Sequence, residues 1–96
     1  MAYDPGAIDA ALSAAVGDDS ALIADLRGAF VEGAARALAA MREARDDEVW
    51  RDAASRLRGL AASFGAVRLM ALAAEASDTP RDAALVLKLE RAIARL

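Results

Sequence analysis

The 96-residue sequence contains no histidine and no cysteine. Those two absences remove thiol nucleophiles, disulfides, a Ser-His-Asp relay, Cys/His zinc sites and phosphorylation of histidine. Proline occurs only twice and aromatic residues make up 4% of the chain, so little interrupts a helix and few bases or rings have anything to stack on. No apolar run approaches the ~18 residues that a spanning helix needs, and no basic residue precedes an apolar segment at the N-terminus, so a secretory signal is not expected. A cytoplasmic, membrane-free protein is the expectation. The formal net charge of −3 argues against a general nucleic-acid binder, which concentrates a basic excess on one face.

What is present is mostly alanine, 28 of 96 residues, together with eleven arginines and a single lysine. A chain so rich in helix formers predicts an all-helical fold, and its length leaves room for one domain, residues 1–96. The breaks fall at Asp4-Pro5-Gly6, Gly17-Asp18-Asp19-Ser20, Asp46-Asp47, Phe64-Gly65-Ala66 and Ser77-Asp78-Thr79-Pro80. Five helical segments lie between them. The first, short and lid-like, is capped by Asp4 and carries Ile8 and Leu12 to about Val16. The second starts at Asp18 or Asp19 and runs to about Arg45, burying Ile23, Leu26, Phe30, Ala34, Ala37, Met41 and Ala44 at helical spacing. The third, after Asp46 or Asp47, buries Trp50, Ala53, Ala54, Leu57, Leu60, Ala61 and Phe64 and stops near Gly65. The fourth, from Ala66 to about Ala76, carries Val67, Leu69, Met70, Leu72 and Ala73, a surface broad enough for the middle of a bundle. The fifth reads Thr79 as N-cap, Pro80 at its first position and Asp82 in a capping-box-like place, with Leu85, Val86, Leu89, Ile93 and Leu96 as its core face. Short connections between such helices predict an antiparallel up-and-down four-helix bundle with a short extra N-terminal helix.

One strip escapes this packing logic. On a wheel of about 100° per residue with Trp50 at zero, the third segment's apolar stripe centres near ~340°, while Ser55, Gly59 and Ala62 fall at about 140°, 180° and 120°. Arg51 and Arg58 flank them. Glycine inside a helix costs ~1 kcal/mol against alanine, and in a chain with 28 alanines the cheaper residue was available. An outward glycine between serine and alanine, rimmed by arginines, makes a notch into which a partner's backbone can come close. Charge points the same way: residues 49–74 hold four arginines against one aspartate, a local +3 on an acidic protein, which favours an acidic partner surface. The competing reading is plain solvation, with arginine stems lying over apolar surface. Asp18-Asp19 and Asp46-Asp47-Glu48 read as helix-start acids rather than metal or acid-base groups, and Lys88 has no motif around it. No cofactor or metal site is expected.

The stretch from Ala53 to Ala66, Ala-Ala-Ser-Arg-Leu-Arg-Gly-Leu-Ala-Ala-Ser-Phe-Gly-Ala, resembles the signature of histidine-containing phosphotransfer (HPt) domains of bacterial phosphorelays, His-x-Leu-Lys-Gly followed shortly by Gly-Ala. Leu57, Gly59, Gly65 and Ala66 match, Arg58 keeps the charge of the family's lysine, and Ser55 stands where the family has its phosphorylated histidine. The turn at residues 17–20 and the long second segment extend the resemblance over essentially the whole chain. It implies a receiver-docking face formed by Arg51, Ser55, Arg58, Gly59 and Ala62, with a response-regulator receiver domain or a histidine-kinase-associated protein as partner. It also implies no relay and no enzyme. A serine hydroxyl needs a general base to become nucleophilic, and its phosphate ester is too stable for reversible transfer. The expectation is therefore a monomeric pseudo-HPt module, a competitor or scaffold; the alternative is a helix-bundle module that self-associates without a signalling partner.

Overall fold

In the computed structural model the described residues are Ala10, Leu12, Ala14, Gly17 and residues 19–96. They form four helices and, among the described residues, no strand: α1 Ser20–Glu43, α2 Asp47–Ser63, α3 Val67–Ser77 and α4 Ala83–Ala94. Most of the expected first segment lies outside the described residues, as do Asp4 and Asp18. Ala10, Leu12 and Ala14 are helical, and Leu12 is buried in the core.

Three of the four helix starts follow from side-chain chemistry, and α3 begins after Ala66 with no side-chain cap. Asp19 caps α1 by accepting from the Leu22 N–H at 3.0 Å, and Asp46 caps α2 by accepting from the Val49 N–H at 2.9 Å. Asp47 and Glu48 then occupy the first turn of α2, where acids oppose the helix dipole. The start of α4 differs from the expectation. Its cap is Asp82, whose carboxylate accepts from Ala84 N at 2.8 Å and Leu85 N at 3.4 Å. Thr79 is not a cap, because its backbone N–H and its hydroxyl both donate to the Ala76 carbonyl and so close the end of α3. Pro80 sits in the connection rather than in the first turn. Arg81 pins that connection to the α1–α2 corner, its N–H donating to Asp47 Oδ1 and its guanidinium to the Ala44 carbonyl, both at 3.0 Å.

The stop of α2 is a Schellman motif. Gly65 adopts φ +69°, its N–H donates to the Ala62 carbonyl at 3.3 Å, and the Ala66 N–H reaches the Ala61 carbonyl at 2.9 Å. Only glycine takes that left-handed conformation without a Cβ penalty.

Every helix packs against its neighbours in the chain, and α4 closes back on α1. The core between them is built from Phe30, Ala34, Leu38 and Met41 of α1, Trp50, Leu57 and Ala61 of α2, Leu69 and Ala73 of α3, and Leu85 and Leu89 of α4. Alanine at the seams keeps the backbones close. The Phe30 and Phe64 rings stack with centroids 4.6 Å apart, and the Trp50 indole N–H donates to the buried Ala76 carbonyl at 2.9 Å, which fastens α2 to the end of α3. The expected stripes are largely the observed ones, with Leu38, Ala76 and Ala92 added, and with Ile23, Leu26, Leu60, Phe64, Met70, Val86, Ile93 and Leu96 only partly covered. Helix α3 departs from expectation: it touches α2 and α4 but not α1, and Val67 is 53% exposed. Its buried residues, Leu69, Leu72, Ala73 and Ala76, form one stripe, so it has one inner side instead of a central position. No helix among the described residues is long and apolar enough to cross a membrane.

Candidate functional site

Helix α2 turns Trp50, Ala53, Ala54, Leu57 and Ala61 inward. The same turn of the helix leaves Arg51, Ser55, Arg58, Gly59 and Ala62 exposed. At Gly59 an added Cβ would find nothing within 4 Å. Crowding by a neighbouring helix therefore does not explain this glycine.

The structure separates the five expected residues into two groups. Ser55 and Gly59 line a shallow groove of about 560 Å³ between α2 and α1, together with Arg36, Arg56, Leu60 and Ser63. Arg51, Arg58 and Ala62 lie outside that groove, on the other shoulder of the exposed face. The cations that share the groove with Ser55 and Gly59 are thus Arg56 and, from α1, Arg36. Nothing in a one-helix wheel shows which neighbour borders each shoulder, and Arg36 had no signal of its own. The groove floor forms where α1 comes close: at Gly33 an added Cβ would sit 3.1 Å from Leu60 Cδ2. Gly33 was not singled out by spacing either.

The groove lining contains two guanidinium groups and no carboxylate, which gives it a positive potential toward an approaching acidic surface. Ser55 has no hydrogen-bond partner among the described residues, whereas the Ser63 hydroxyl donates to the Gly59 carbonyl at 3.0 Å. No carboxylate lines the groove, the chain has no histidine, and the acid nearest to Ser55 in sequence, Asp52, stands three residues before it on the same exposed helix and makes no hydrogen bond to its hydroxyl. Among the described residues, no group of three or more His, Cys, Asp or Glu side chains is placed to hold a metal ion.

The singled-out positions of the Ala53–Ala66 stretch divide by cause. Leu57 is fully buried core. Gly65 and Ala66 are accounted for by the Schellman stop. Ser55, Arg58 and Gly59 are exposed and serve neither packing nor capping. Searches of family models, curated proteins and solved structures find no match to this chain.

Proposed function

We propose that this chain is a pseudo-phosphotransfer module: an antiparallel up-and-down four-helix bundle of the HPt kind that docks a response-regulator receiver domain, or a kinase-associated partner, without accepting a phosphoryl group. The observation that carries the reading is Gly59, a helix-interior glycine facing open space beside Ser55. A partner backbone can approach there more closely than beside any other residue type. Arg36 and Arg56 on the groove side and Arg51 and Arg58 on the other shoulder then offer cations to the acidic pocket of a receiver. Such charges orient and accelerate encounter more than they tighten the complex. In a cytoplasmic setting the module would compete with a true phosphotransfer protein for its regulator, or hold that regulator in place.

Calorimetric titration against a panel of receiver domains from the same cell tests this. A one-to-one complex is expected with at least one receiver. Gly59→Gln fills the notch while raising helix propensity, so it should abolish that complex and leave the thermal melt intact. Incubation with a labelled phospho-receiver should leave this chain unlabelled. Undiminished binding by the Gln variant, or acid-labile phosphate on this chain, overturns the reading.

A further inference from the structure

On the opposite side of the molecule, α3 and α4 bring together four cations that lie far apart in the sequence. Arg68 from the first turn of α3 and Lys88, Arg91 and Arg95 from α4 line a recess of about 250 Å³, with Ala92 as the only other lining residue. Lys88, Arg91 and Arg95 are spaced three and four apart and so share a helix face. None of the four has an acidic partner among the described residues.

Two ordinary roles for these charges cover only part of the set. Arg91 and Arg95 lie at the C-terminal end of α4, where cations offset the helix dipole. Arg68 lies at the other kind of end. The first turn of α3 already carries the positive pole of its helix, its N-cap is Ala66 with no side-chain acceptor, and no acid stands in that turn. A guanidinium there adds repulsion. The fold places these four like charges around one recess, where they repel one another. An anion between them removes both penalties.

We propose that this recess is a binding site for a compact, multiply charged phosphoanion of the pyrophosphate class, independent of the α2 face. The lining dictates the class. Three planar guanidinium forks match phosphate oxygens two at a time, and a diphosphate carries enough negative charge to answer four cations where a single phosphate does not. No aromatic ring, amide or hydroxyl lines the recess to read a base, a sugar or a peptide. Recognition therefore falls on the diphosphate itself, whether it arrives free or attached to a nucleoside.

Calorimetry of the whole chain with sodium pyrophosphate, ADP and inorganic phosphate, at low and at near-physiological salt, decides the matter. Saturable one-to-one binding of pyrophosphate is expected, at least tenfold tighter than phosphate, and accompanied by a rise in melting temperature because the ligand favours the folded state. If ADP matches pyrophosphate, a nucleoside diphosphate can be the source; if it binds much more weakly, the free anion is. Arg68→Gln and Arg91→Gln should each weaken pyrophosphate binding about tenfold or more, and Arg56→Gln should leave it unchanged. Both α3–α4 variants replace exposed side chains, so their melts without ligand should stay near the parent's. Absence of saturable binding overturns the proposal, and so does an equal loss in Arg56→Gln, which would mark diffuse attraction. Co-sedimentation with anionic vesicles that pyrophosphate does not compete away would assign the patch to a membrane surface instead.

Discussion

Gly59→Ala isolates a single physical effect. The added Cβ meets nothing within 4 Å, so the substitution neither clashes nor fills a void, and the backbone is helical on both sides within Asp47–Ser63. What remains is intrinsic propensity, roughly 0.8–1.0 kcal/mol in favour of alanine. For a domain of this size that corresponds to a rise in melting temperature of about 4–8 °C. Gly28 supplies the control. It lies inside α1 with the same open surroundings, and Gly28→Ala should gain a similar amount. Gly33→Ala should gain less, because its Cβ would press on Leu60 Cδ2 at 3.1 Å and that side chain must give way. Urea and thermal unfolding followed by circular dichroism, with m-values compared to exclude denatured-state changes, order the three. If Gly59→Ala is neutral or destabilising while Gly28→Ala is stabilising, Gly59 has a structural duty within the fold, and the argument that it is kept for a partner collapses.

Gly65→Ala should cost about 1–2 kcal/mol, because alanine at φ +69° places its Cβ against the following carbonyl; a melt unchanged from the parent would refute the Schellman assignment. Asp82→Ala should cost about 1 kcal/mol through loss of the α4 cap, and Thr79→Ala clearly less, with the reverse order of unfolding midpoints restoring Thr79 as the cap. Trp50→Phe should cost on the order of 1–3 kcal/mol, combining the lost indole hydrogen bond with a reduced fill of the core. The Ala76 carbonyl keeps its Thr79 donor, which places the expected cost toward the lower end; urea unfolding measures it.

The all-helical character and the breaks between the four described helices were legible because most of these breaks carry local chemistry. Asp19, Asp46 and Gly65 act through residues within four positions of themselves, so sequence spacing contains their whole context. Thr79-Pro80 carried a cap signal of the same kind that was not used, because the preceding helix had already engaged the Thr79 N–H and hydroxyl at Ala76. A long-range contact also fixes this connection, with Arg81 held against Asp47 and Ala44. The outward direction of Ser55 and Gly59 was legible from a wheel, since a wheel needs only one helix. Which arginines share their groove was not, since Arg36 approaches from a different helix. The cation recess was hidden for a similar reason. Arg68 is separated in sequence from Lys88, Arg91 and Arg95, and residues 75–96 sum to zero charge, so a running count of charge cancels what the folded chain gathers.

The closure of α4 on α1 has a consequence for the order in which the molecule assembles. Contacts of α1 with α2, α2 with α3 and α3 with α4 each span a short connection and need little chain entropy to form. The remaining seam includes the Arg27 guanidinium donating to the Leu96 carbonyl at 2.7 Å, a bond that joins residues 69 positions apart. Loop closure over such a span pays no return until the intervening helices have already shortened the path. The α1–α4 seam is therefore expected to close last on folding and to part early in the native state. Weakening it should hasten unfolding while leaving the folding rate nearly untouched, and amide exchange along the α1–α4 side should outpace exchange at the α2–α3 junction that Trp50 fastens.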